Sequence, residues 1–277
     1  MKNEKYWNKR FDEIFKQNIN ERAIYEEYKK AFDEIEKALK KLHKKFKSQG
    51  DITRSEICRS RQYIYILNIL NAQNKRLRSS LSNEITETLK KCYEETYIAT
   101  QKITVSDKEN AVHNGEAFAI QNENAIKTAL SSRWSGENYS MRIWKNTSSL
   151  ARDVKDQIVN EIITGRSYKS IALTIKEKYN QSFYRASTLI RTEASAVQNR
   201  AAMNAYKESG TQKVRIHSAN DERRCLKCKE ASSKEYIIGT EPILPLHPNC
   251  RCRYIAVAKY SDDEVDNDVI NISVKEL

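Results

Sequence analysis

Helix breakers are scarce and unevenly placed in this chain of 277 residues, which has 6 Gly and 3 Pro, and Pro242, Pro245 and Pro248 all lie beyond Gly210. A stretch that long without proline predicts long helices up to about residue 210. After Gly210 the character changes. Short β-prone runs at 214–216, 236–238 and 253–257 share this part of the chain with four of the 6 Cys. The expected fold class is mainly α, with a long-helix N-terminal region followed by a small C-terminal α+β module at about 210–258.

Hydrophobic spacing fills in the helices. Tyr25, Tyr28, Phe32, Ile35, Leu39, Leu42 and Phe46 alternate in steps of three and four, the spacing of a helix seam. About three heptads suit an intramolecular hairpin or bundle as well as a coiled-coil dimer. Ser48-Gln49-Gly50-Asp51 marks a break, and a second helical region follows over 55–100, with Leu77, Leu81, Ile85, Leu89, Cys92 and Thr96 on one face. Cys58 and Cys92 read as small core residues. The pattern weakens over 105–149, where Trp134-Ser135-Gly136 and Asn138-Tyr139-Ser140 read as a turn before Met141. Leu150, Val154, Ile158 and Ile162 define the next helix, stopped by Gly165. Ser167 is the expected cap of a short helix over 168–179, and Ser182 the cap of a longer one ending at Gly210. Ala186, Leu189, Ala194, Val197, Ala201 and Ala205 form the apolar side of that longer helix.

The chemistry-bearing signal is Cys225-Leu226-Lys227-Cys228, followed by His247-Pro248-Asn249-Cys250-Arg251-Cys252. A C-x-x-C turn presents two thiolates from one tight loop, and a second pair about twenty residues later closes a tetrahedral zinc site. A module of about fifty residues of strand and loop is too small for a core of its own, so a bound ion would stabilise it. Five candidate ligands compete for four positions: Cys225, Cys228, His247, Cys250 and Cys252. Spacing does not choose between Cys250 and Cys252, which point to one side if a strand begins near Cys250. Three other readings compete. A redox C-x-x-C expects a strand–helix context, whereas this pair follows Asp221-Glu222-Arg223-Arg224. Two disulfides would suit a secreted chain. A nucleobase-deaminase zinc site needs His-x-Glu, and His217 is followed by Ser218-Ala219. The preferred reading is a structural zinc ion.

Charge and hydropathy narrow the surroundings. The formal charge of +12 divides into −5 on residues 261–277 and +17 on the rest. A body that basic favours a polyanion such as nucleic acid, or serves only as a solubilising lysine surface. No apolar run approaches the roughly 20 residues of a membrane helix. The N-terminus lacks an apolar leader core, so a cytosolic chain with reduced or metal-bound thiols is expected. Glu193 lies near the apolar stripe of its helix, either held by a partner or solvated at the flank. His43 and His113 read as isolated surface residues. No Gly-rich phosphate loop, Ser/His/Asp set or paired-carboxylate constellation stands out.

Taken in order, Arg191-Thr192-Glu193, Asn199, Ala202, Tyr206-Lys207-Glu208-Ser209-Gly210, the Cys225/Cys228 pair and Pro245-Leu246-His247-Pro248-Asn249-Cys250-Arg251-Cys252 form a recognisable string. It resembles the phage Mu F-like minor head proteins, also called head morphogenesis proteins of tailed phages. Trp134-Ser135-Gly136, Arg142-Ile143-Trp144 and Gly165-Arg166-Ser167 extend the likeness upstream, over about residues 130–258. One departure is Leu244-Pro245, where many relatives carry a Pro pair. The resemblance implies a non-enzymatic virion component acting in procapsid assembly near the portal, present in the host cytoplasm during assembly. Implied partners are the portal, capsid and scaffolding proteins, with non-specific double-stranded DNA and a role in packaging or ejection as further expectations. The implied division is a helical region over 1–130 and a Mu F-like domain over 131–260, with helices to 210 and a β zinc module over 211–260. An acidic tail over 261–277 completes the chain. Some relatives carry fused toxin domains, for which this tail leaves no room. The rival readings are a host nucleic-acid-binding zinc protein and a hydrolase or transferase that uses the zinc or Glu193.

Overall fold

Asn20 starts the first helix, its side chain accepting the Ala23 N–H at 3.1 Å, and the spacing of the seam carries it through α1, Glu21–Phe46. The computed structural model describes Phe15 and residues 19–47, 52–104, 123–133, 136–218 and 224–257. The expected break at Ser48–Asp51, His113, Trp134, Ser135, residues 221–223 and the acidic tail lie outside these. Along α1 the buried stripe is Ile24, Tyr28, Ala31, Ile35, Ala38, Leu39, Leu42 and Phe46. Tyr25 is exposed and Phe32 half-buried, so these two expected seam residues flank the core. Small alanines take the central positions instead.

The second helical region divides at Ser60 into α2, Arg54–Arg59, and α3, Arg61–Thr104. Thr53 and Glu56 form a reciprocal capping box ahead of α2. Leu77, Leu81, Ile85, Leu89, Cys92 and Thr96 on α3 are all buried as the spacing predicts. α4, Glu123–Leu130, was not legible in the weakly patterned stretch. α5, Tyr139–Ile163, begins on Asn138, whose side chain accepts the Met141 N–H, so the expected turn at 138–140 is a helix start. α5 ends as Gly165 predicts: the glycine sits at φ +68°, and the Arg166 N–H reaches back to the Glu161 carbonyl at 3.0 Å.

The pair of helices expected over 168–210 is one continuous helix, α6, Tyr168–Glu208. Ser167 caps it, accepting the Ser170 N–H at 3.2 Å. Ser182 does not start a helix: it is buried mid-helix, 3.3 Å from the Tyr28 hydroxyl. No Gly or Pro interrupts 168–208, and that side-chain partner removes the hydroxyl's reason to cap the backbone. Gly210, at φ +73°, ends α6, with the Thr211 N–H on the Tyr206 carbonyl. No helix among the described residues is long and apolar enough to cross a membrane.

Beyond α6 come β1, Lys213–His217, α7, Leu226–Ala231, β2, Glu235–Ile237, and β3, Arg253–Ala256. The strands form an antiparallel sheet in the order β2-β1-β3, with Ile216 opposite Tyr254 and Val214 opposite Tyr236. All three fall on the predicted β-prone runs. The chain is therefore mainly helical with a small C-terminal sheet.

Two compact units emerge. One comprises residues 19–87 and 135–190 and is entirely helical in its described part. The other comprises 1–18, 88–134 and 191–277 and contains the sheet. Its core joins Ala202, Met203 and Tyr206 of α6 to Val214, Ile216, Tyr254 and Ile255 of the sheet, and three of the cysteines belong to the same cluster.

Candidate metal centre

Cys225 is the N-cap of α7, its sulfur accepting the Cys228 N–H at 3.5 Å. One turn of helix thus places both members of the C-x-x-C pair together. The pair opens a six-residue helix with few apolar residues to announce it. The other ligands come from the loop before β3. His247 and Cys250 bracket a turn closed by the Cys250 N–H on the His247 carbonyl at 3.1 Å. Pro248 occupies its second position, and Asn249, at φ +57°, its third. Pro followed by a residue that tolerates a left-handed backbone is the type II pattern.

All five predicted ligands converge. Donor atoms of Cys225, Cys228 and His247 lie within 4.8 Å of one another, as do those of Cys228, Cys250 and Cys252. Cys228 is common to both sets, with its sulfur 3.2 Å from His247 Nε2 and 3.9 Å from the Cys250 sulfur. Two thiolates on one tetrahedral zinc ion would stand about 3.8 Å apart, given Zn–S bonds of about 2.3 Å. His247 is oriented as metal-bound imidazoles are: Nδ1 donates to the Pro248 carbonyl at 2.8 Å, leaving Nε2 to face the sulfur. Cys250 and Cys252 precede β3, so it is the turn, not strand alternation, that brings both sulfurs inward.

Protonation follows from the crowding. The Cys252 thiol and backbone N–H groups donate to the Cys250 sulfur and hold it at about 5 despite burial. Burial pushes Cys228 up to about 12, and the Cys250 sulfur and burial raise Cys252 further. Hydrogen bonds from Cys228 lower Cys225. Four sulfurs this close cannot all ionise without a cation.

Arg253 supplies a test of what the cluster holds. It is buried, with a guanidinium pushed down to about 10 by desolvation, still charged at neutral pH. The sulfurs of Cys250, Cys252 and Cys92 face it and offset part of that desolvation cost. Burying such a cation costs several kcal/mol unless negative charge faces it, and a thiolate-rich metal site carries that charge. The residues present therefore fit a thiophilic divalent cation.

α6 fixes the ligand loop through a row of buried polar side chains. Thr192 Oγ1 accepts the Asn249 N–H at 3.0 Å, and Ser195 Oγ donates to the Cys250 carbonyl at 3.1 Å. Asn199 donates to the Cys252 carbonyl and accepts the Tyr254 N–H, both at 3.0 Å. Arg253 donates to Ser195, to Gln198 and to the Cys252 carbonyl, and lies over the Phe15 ring at 5.3 Å. Positions 192, 195 and 199 share one helix face. Sequence reasoning missed Ser195, Gln198 and Arg253 as supports of the site, although a buried-side polar row at helical spacing was their signal. Glu193 is 4% exposed, which overturns the solvated-flank alternative.

These features define a helical protein with a cysteine–histidine centre on a small sheet. Residues 152–255, from within α5 into β3, match the family described as Phage Mu protein F like protein. A curated relative is the NAD(+)--arginine ADP-ribosyltransferase EFV of Enterococcus faecalis, 23% identical over 286 aligned positions. That alignment takes in 95% of this chain but only 56% of the relative's length. No solved structure matches the chain.

Proposed function

We propose that the chain is a non-enzymatic minor head protein of a tailed phage or prophage, acting in procapsid assembly near the portal. The observation that carries this reading is the coincidence of the family match over 152–255 with a cysteine–histidine cluster inside that span. The family supports a role in head morphogenesis. The position near the portal, the capsid and scaffolding partners and the host cytoplasm during assembly extend that role, as does the division at residues 130 and 260. Non-specific contact with packaged DNA is supported by the +17 body. Purified procapsids and virions of the phage that encodes the chain are the test, by quantitative mass spectrometry and localised density. A few copies at one vertex are expected, and absence from both particles would sink the proposal.

The cluster is proposed to hold a structural zinc ion on Cys225, Cys228, His247 and Cys250, with the Cys252 thiol donating to the Cys250 sulfur. When bound, zinc supplies cross-linking of α7 to the ligand loop. Cys252→Ser is expected to retain one zinc per chain and Cys250→Ser to lose it, read by elemental analysis. The reverse pattern would exchange the two assignments.

The name of the relative favours a second reading, arginine-directed ADP-ribosyl transfer. Incubation with labelled NAD and an arginine-rich acceptor separates the two. No transfer is expected, whereas zinc-independent labelling would favour the transferase.

A further inference from the structure

The all-helical unit carries a groove of about 720 Å³ between the last turns of α1 and the α5–α6 turn. We propose that this groove is a binding site for phosphate esters. It is lined by Lys40, His43, Lys44 and Lys47 on one side and by Arg166 and Lys169 on the other, with Phe46, Ile162 and Tyr168 among its apolar lining. The volume is that of a small-ligand pocket. Among the described lining residues none is acidic. Glu36, which accepts a hydrogen bond from the Tyr168 hydroxyl, does not line the groove.

His43 is the residue whose placement departs most from a sequence reading of isolated surface histidine. Its Nε2 lies 3.2 Å from the Arg166 carbonyl, so it ties the two walls together.

The bland account is that lysines at the end of α1 complement the negative end of the helix dipole. That account covers Lys44 but fails for the opposite wall. Arg166 and Lys169 stand at the start of α6, the positive end of a helix, where cations are disfavoured and anions bind. A pair of cations concentrated there, facing three lysines, leaves a strong positive field that an anion would relieve. A phosphate ester supplies the charge, and its organic part suits the apolar lining. A phosphodiester backbone and a free nucleotide share this chemistry. The groove belongs to the unit that lacks the cysteine–histidine centre, and the inference stands whether or not the chain is a head protein.

The test uses the full-length protein with three probes: a labelled 20-base-pair duplex read by fluorescence anisotropy, and ADP and inorganic phosphate read by calorimetry. Lys44→Glu combined with Lys169→Glu is expected to weaken binding by about ten-fold or more, and for the duplex to lower the salt slope by about two. Lys75→Glu with Lys155→Glu, an equal charge change at exposed positions of the same unit, is expected to change affinity less than about two-fold. If the first pair melts early by circular dichroism, Lys44→Gln with Lys169→Gln carries the same test. Duplex binding without ADP binding identifies a nucleic-acid backbone, and the converse a nucleotide. Equal losses from groove and control pairs, or no binding of any probe at low salt, would overturn the inference.

Discussion

In the unit of residues 19–87 and 135–190, the buried stripes are mainly aliphatic and aromatic: Ile35, Leu39 and Leu42 on α1, Val154 and Ile158 on α5. In the other unit the buried face of α6 carries Thr192, Ser195, Gln198 and Asn199 beside its alanines. The first unit is stabilised by removing apolar surface from water, which long amphipathic helices do efficiently. The second has short strands of three to five residues and a long ligand loop whose backbone groups need partners. Helix side chains satisfy that backbone beside a small apolar core, and the crowded sulfurs are where the proposed metal would add stability. The difference teaches that hydrophobic periodicity finds the first kind of unit and is nearly blind to the second.

Removing the proposed metal breaks the comparison most severely. Structural zinc contributes on the order of 10 kcal/mol to small modules, so chelator, or Cys228→Ser at the shared ligand, is expected to abolish hydrogen-exchange protection across 213–256. Protection of α1 and α5 should persist. Equal protection with and without chelator, in protein free of metal, would show that packing alone maintains the sheet.

The converse change is Leu39→Ala, at a fully buried position of α1. A loss of about 2–5 kcal/mol is expected from denaturant melts, with zinc content unchanged. A drop in zinc content would mean that the two kinds of stabilisation are coupled.

Asn199→Ala sharpens the account of the polar row. It strands the Tyr254 N–H, at about 1–3 kcal/mol, and leaves the Cys252 carbonyl to Arg253. It should also weaken metal retention by about ten-fold or more, as loss of a group that orients ligands does. Undiminished retention in a chelator competition would reduce Asn199 to a purely structural role. The smallest effect is expected from Thr53→Ala, which removes one half of the capping box and should cost about 1 kcal/mol. It should leave both the metal and the sheet untouched.

The residues alone determined the succession of long helices, the three strands, the helix stop at Gly165 and the five candidate ligands. Each of these is encoded locally, by periodicity, by a backbone only glycine adopts easily, or by sulfur at short spacing. Other features were decided only by the tertiary structure. Ser182 looks like a cap until Tyr28 arrives to take its hydroxyl. His43 looks isolated until the Arg166 carbonyl meets it across 123 positions of sequence. The cluster likewise needed α6 to hold the loop and Arg253 to face the sulfurs. Polar groups are satisfied by whatever partner folding brings near, and a buried partner far along the chain leaves no periodic trace. Apolar groups need only a common face, which a single helix already defines.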